Sequence, residues 1–122
     1  MGGKIIKKGG YNMEKSEVRK LLRQLGYRSK YRGYEYLVDM IFLMSNEPNP
    51  NKRTQAVYCK EIADKYNTNE KAVEKAIGYL INKNYKIYGN SLLDKVIELN
   101  SKERLSIKQI LNLISDYVSV ND

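Results

Sequence analysis

Apolar residues return every three or four positions through most of this chain, the period of a helix with one buried face. Val18, Leu21, Leu22 and Leu25 predict a first helix from about Met13 to Leu25, stopped by Gly26, with Arg19, Lys20 and Arg23 largely on its other side. Leu37, Met40, Ile41 and Met44 predict a second helix over about Gly33 to Asn46. Tyr36, Phe42 and Leu43 widen its stripe until it is apolar nearly all round, which places it at the centre of the fold. The segment NEPNPNKR, with two prolines and three asparagines, predicts a loop. Ile62 and Ala63 mark the inner face of a third helix, whose start falls at either Thr54 or Cys59. Val73, Ala76, Ile77, Leu80 and Ile81 form the stripe of a fourth. After Asn84, NYKIYGN has short β character or makes a turn. Leu92, Leu93, Val96 and Ile97 predict a helix over about Asn90 to Leu99, and NSKERLS a polar connector. Ser106 then reads as the N-cap of a last helix through about Val118, with Ile107, Ile110, Leu111, Ile114 and Tyr117 inward. The pattern is all-α.

The most informative segment is 58–82, YCKEIADKYNTNEKAVEKAIGYLIN, which has the spacing of a helix-turn-helix. Asn67 falls four residues after Ala63, where the chain must turn and where a positive φ suits asparagine. Thr68 is the expected cap of the second helix of the pair, and Glu70 suits the positive end of its dipole. Lys71, Glu74, Lys75 and Gly78 share the face opposite the apolar stripe. The competing reading is an ordinary helical hairpin with solvated charges.

Charge favours the first reading. The chain has 22 Lys and Arg against 14 Asp and Glu, a net +8 over 122 residues, which points to an anionic partner, nucleic acid before an acidic membrane. Seven of the basic residues and a single acidic one lie between Lys15 and Arg32, whereas from Asp94 onward five acids face four bases. The loop YRSKYRGY interleaves Arg28, Lys30 and Arg32 with Tyr27, Tyr31 and Tyr34 ahead of a helix, which suits phosphate contacts. Base-edge contacts are expected from Lys71, Glu74 and Lys75. Contacts to phosphates or groove walls are expected from Arg28, Lys30, Arg32, Lys60, Lys65, Thr68 and Tyr79.

Other chemistries find little here. With no histidine, imidazole acid–base catalysis, His-assisted nucleophiles and the commonest metal ligand are absent. Glu61 and Asp64 are at the spacing of solvated helix charges, and no glycine loop or ligand cluster calls for a cofactor or a metal. The single cysteine, Cys59, cannot form an internal disulfide; it points to a reducing cytoplasm and reads as a small packed residue. The longest apolar run, Tyr36 to Met44, is broken by Asp39 and is too short to span a bilayer. No amphipathic helix offers large free apolar residues to a membrane surface. Residues 1–12, MGGKIIKKGGYN, read as a flexible basic arm or an appended remnant, leaving a helical domain over 13–120.

With these pieces placed, the chain resembles the C-terminal DNA-binding domain of the response regulator that initiates sporulation (the stage zero sporulation protein A family). The likeness runs from about Val18 to Val118 and rests on LGYRSKYRGYEYL, IADKYNTNEKAVEKAI and the spaced pair GNSLLDKVIELN and LSIKQILNLISDYV. The resemblance implies a compact six-helix domain whose third and fourth helices are the helix-turn-helix. It implies binding to double-stranded DNA as a head-to-tail homodimer on tandem boxes with a T-C-G-A-A core, and contact with the sigma subunit of RNA polymerase. Base contacts in the family come from a Glu-Arg pair and a second Arg one turn later; by position these fall on Glu74, Lys75 and Gly78, and loop phosphate contacts on Lys30 and Arg32. Lys75 lacks the planar fork of arginine and Gly78 has no side chain, so selectivity is expected to be weaker or altered, a good bidentate contact being worth about 1–3 kcal/mol. Gly78 also costs the helix roughly 1 kcal/mol relative to alanine, which suggests that something approaches closely there. The family's receiver domain has no room ahead of this segment, so the expectation is an excised fragment or a stand-alone protein without its own phosphorylation switch. The missing arginine and the missing receiver domain motivate an alternative: a modulator with weak or nonspecific DNA binding that pairs with a full-length relative, or occupies its DNA-bound neighbour's surface, through its final two helices, near Leu92, Leu93, Ile110 and Ile114.

Overall fold

The computed structural model describes residues 14–49, 51 and 54–120. The basic arm 1–12, the expected helix start at Met13 and part of the NEPNPNKR loop lie outside the described residues. Six helices follow one another: α1 (Lys15–Gln24), α2 (Gly33–Ser45), α3 (Gln55–Lys65), α4 (Glu70–Tyr88), α5 (Ser91–Ile97) and α6 (Ile107–Val120). There is no strand among the described residues, and none of these helices is long and apolar enough to cross a membrane.

The central place expected of α2 is what the structure shows. Leu37, Val38, Met40, Ile41 and Met44 are all essentially inaccessible, and α2 packs against α1, α3, α4 and α6. Gly33 opens it. A β-carbon there would lie 2.6 Å from the Ala76 carbonyl oxygen, so the start of α2 rests directly on the backbone of α4. Arg19 of α1 grips the same end of α2 through a two-pronged pair with Glu35, at 2.6 and 2.8 Å.

Helix ends follow local chemistry. Gly26 takes φ +91 after α1, and the Tyr27 amide returns to the Leu22 carbonyl at 2.9 Å, closing a left-handed stop. Ser106 and Gln109 exchange hydrogen bonds, Gln109 N–H to Ser106 Oγ at 3.1 Å and Ser106 N–H to Gln109 Oε1 at 2.8 Å. That reciprocal cap starts α6 where the sequence places it. The start of α3 resolves to Gln55, with Thr54 as its cap residue.

Two expectations are corrected. NYKIYGN is not a strand, and only its last two residues turn: α4 continues unbroken through Tyr88 and is capped by Gly89, φ +58. Packing overrides the β propensity of its tyrosines and isoleucine. Asn84, in the middle of that stretch, donates from Nδ2 to the Leu25 carbonyl at 2.8 Å and so satisfies the C-terminal end of α1. The second correction is the cap of α4. It is Asn69, whose side chain accepts from the Ala72 amide at 2.8 Å, and not Thr68. The turn is one residue longer than expected because Thr68 is used to close α3, its amide bonding the Ala63 carbonyl at 2.9 Å.

Candidate nucleic-acid interface

The turn between α3 and α4 is built on Asn67. Its φ of 57 lets the chain reverse, and the Thr68–Ala63 bond locks the reversal. Asn69 is extended, and its side chain then starts α4. Ile62 and Ala63 on α3 and Val73 and Ile77 on α4 are buried where the two helices pack. Cys59 is buried as well. Its burial, with the charges of Glu74 and Glu70, pushes the thiol up, so the group is a protonated packing element.

Burying Val73, Ile77, Leu80 and Ile81 fixes which face of α4 looks outward. Lys71, Glu74 and Lys75 are all exposed on it. Gly78 is only partly exposed, and its neighbour is α6: a β-carbon there would stand 3.4 Å from Ile107 Cδ1. The close approach suggested by a mid-helix glycine is thus an ordinary van der Waals contact with a flexible side-chain end.

The loop before α2 comes to this helix. Tyr79 is 58% exposed, and its ring meets the edge of Tyr31 at 6.3 Å between centroids. Lys30 Nζ lies 5.3 Å from the centre of the Tyr31 ring, and Lys83 Nζ lies 5.5 and 5.9 Å from the rings of Tyr31 and Tyr79. Two lysines and two tyrosines therefore make one cluster joining the basic loop to α4. Lys30 and Tyr79 were expected; Lys83 was not. It lies four residues beyond Tyr79, a helical neighbour, and was missed because the helix-turn-helix reading stopped at Asn82. Arg28 and Arg32 are exposed on the same loop.

The remaining expected residues are placed elsewhere. Lys60 is exposed on α3. Thr68 is partly buried in the turn. Lys65 is turned onto α2, where Nζ sits 3.0 Å from Asp39 Oδ2, with Lys15 on the other oxygen at 2.9 Å. Burial pushes the Asp39 carboxyl up, but hydrogen bonds from Lys15, Lys65 and Tyr66 outweigh it and hold the group below its ordinary value. Tyr66 is driven up to about 12, by burial first and by Asp39 second. Lys65 is thus part of a structural ion cluster. Of the apolar residues considered as a partner surface, Leu93, Ile110 and Ile114 are buried in the core and Leu92 is partly buried.

No curated protein and no solved structure matches the chain. A family model does match, over residues 18–118, and both ends of the match, Val18 and Val118, are core residues. With its fold, its turn and its outward helix face described, the chain belongs to the family whose description is sporulation initiation factor Spo0A C terminal.

Proposed function

We propose that this chain reads double-stranded DNA with the exposed face of α4, Lys71, Glu74 and Lys75 reaching base edges in the major groove. The Lys30–Tyr31–Tyr79–Lys83 cluster, with Arg28 and Arg32, holds the flanking backbone. Family membership carries DNA binding in the regulation of sporulation. The observation that supports the finer reading is the solvent-facing row Lys71, Glu74, Lys75 on a capped helix whose other face is locked into the core. A carboxylate at 74 accepts from cytosine N4, and an ammonium at 75 donates to guanine O6 or N7. Without a side chain at 78 the row is one contact short, so recognition differs from a site read by two arginines. Lys60 adds a cation on α3, whereas Lys65 and Thr68 carry less weight because each is engaged within the fold. In this reading the chain works in the cytoplasm, as a homodimer on tandem sites, with the sigma subunit of RNA polymerase as its protein partner.

Selection of bound duplexes from a random pool tests the proposal and reports site spacing in the same experiment. Glu74→Ala and Lys75→Ala are expected to flatten the preference between selected and scrambled duplexes more than they weaken binding to the scrambled one. An unchanged preference in both variants overturns the assignment. The glycine at 78 favours a second reading, a modulator that pairs with a full-length relative; co-elution of the two in sizing chromatography is its test.

A further inference from the structure

Lys71, Lys75, Gly78, Asn82 and Tyr85 follow one another at steps of three and four residues and so share one strip of α4. Beyond the gap at Gly78 the strip is covered from outside the helix. The connection between α5 and α6 folds back on it, and Arg104 donates from Nη2 to Asn82 Oδ1. The guanidinium carbon stands 4.4 Å from the centre of the Tyr85 ring. The connection is pinned on both sides of this arginine. Asn90 Nδ2 donates to the Glu103 carbonyl at 3.0 Å, and Ile107 packs beside Gly78.

We infer that Arg104 is a DNA-phosphate contact, delivered by the α5–α6 connection to the wall of the groove that α4 enters. The inference rests on the DNA-reading face proposed above and adds a residue from outside the helix-turn-helix. Arg104 is exposed, and among the described residues the groups it touches are a neutral amide and a phenol ring. Its charge is therefore uncompensated there, and most of its five donors remain open. Stacking and the Asn82 bond hold the side chain in place, which reduces the freedom it loses when it meets an anion. Position decides which part of the DNA it meets. Asn82 lies seven residues beyond Lys75, about 10 Å along the helix axis at ~1.5 Å per residue. The N-terminal part of a recognition helix carries the base contacts, so a guanidinium held about two turns further along, by a segment outside the helix, lies past the base edges on the side of the backbone. Arg104 thus adds grip without adding sequence preference.

The test uses the full chain, a duplex selected from a random pool, a scrambled duplex and a titration with salt. Arg104→Gln is expected to reduce the slope of log K against log salt by about 0.9, and to weaken both duplexes alike, roughly eightfold near 0.1 M salt. Arg104→Lys, which keeps the charge and loses the fork, is expected to restore the slope. An unchanged slope in Arg104→Gln overturns the assignment, as does a loss confined to the selected duplex. A slope as low for Arg104→Lys as for Arg104→Gln refers the loss to the shape of the connection and also overturns it. Wild-type protein without salt-dependent duplex binding refutes the DNA-reading proposal itself. A steep wild-type slope that Arg104→Gln leaves intact refutes this inference alone.

Discussion

Replacing Gly33 with alanine puts a methyl carbon 2.6 Å from the Ala76 carbonyl oxygen and 2.9 Å from its carbon. Comfortable contacts of this kind are about 3.5 Å or more, so α2 and α4 must move apart by the better part of an ångström. Neither side of the contact can yield by a rotamer change, because the obstacle is backbone. Overpacking of this kind costs about 1–3 kcal/mol, from which a modest gain in helix propensity subtracts. At about 4 °C for each kcal/mol in a domain of this size, that lowers the melting temperature by about 4–12 °C. Gly78 is the matched control. Its new methyl would meet only Ile107 Cδ1, at 3.4 Å, the end of a flexible side chain. Gly78→Ala is therefore expected to stabilise by about 0.5–1 kcal/mol. Both variants are read by far-ultraviolet circular dichroism in thermal and urea melts, with coincident transitions as the check on two-state behaviour. The reasoning fails if Gly33→Ala melts at or above wild type, or if Gly78→Ala falls below it. Ala76 adjoins Lys75, so the displaced helix should also discriminate less well between duplexes.

Further outcomes follow from the caps, the ion cluster and the core. Asn69→Ala is expected to cost about 1 kcal/mol in the same melts, and Thr68→Ala clearly less; equal losses contradict the assignment of the cap. Asp39 has its folded-state carboxyl held low, so the stability it contributes is complete above its unfolded value of about 3.9 and is lost as pH falls through the lower, folded value. Wild type should therefore lose stability more steeply than Asp39→Asn in melts below about pH 4. Ser115 Oγ is buried without a hydrogen-bond partner among the described residues, and Ser115→Ala is expected to be neutral or to stabilise by up to about 1 kcal/mol. A loss above about 1 kcal/mol in that variant means that the hydroxyl is satisfied in solution.

Periodicity carried the architecture because the long helices of this domain each have a buried stripe. The stripes of α1, α2, α4 and α6 are the core residues that the spacing picks out. The glycine after α1, the Asn67 reversal and the Ser106 start of α6 were legible for the same local reason: their chemistry lies within three or four residues of chain. The long tail of α4 was not legible. The helix over residues 84–88 is held by the bond from Asn84 to Leu25, 59 positions away, together with packing that no local window contains. The cap of α4 was misplaced by one residue because Thr68 and Asn69 are both good caps, and the closing bond of α3 decided between them. In the candidate site, the outward row on α4 could be read from its stripe. The use of Lys65 by Asp39, the stacking of Lys83 on Tyr31 and Tyr79, and the clasp of Arg104 on Asn82 are tertiary facts.

That α2 lies at the centre, packed on four other helices, makes the helix-turn-helix poorly portable. Lifted out as a cassette, α3 and α4 would keep each other but lose the packing that α2 gives to both, and a graft onto another scaffold would have to carry α2 with it. The outward row is under no such obligation. Lys71, Glu74 and Lys75 are exposed, so under the proposed reading substitutions there change target preference while the scaffold stays as it is.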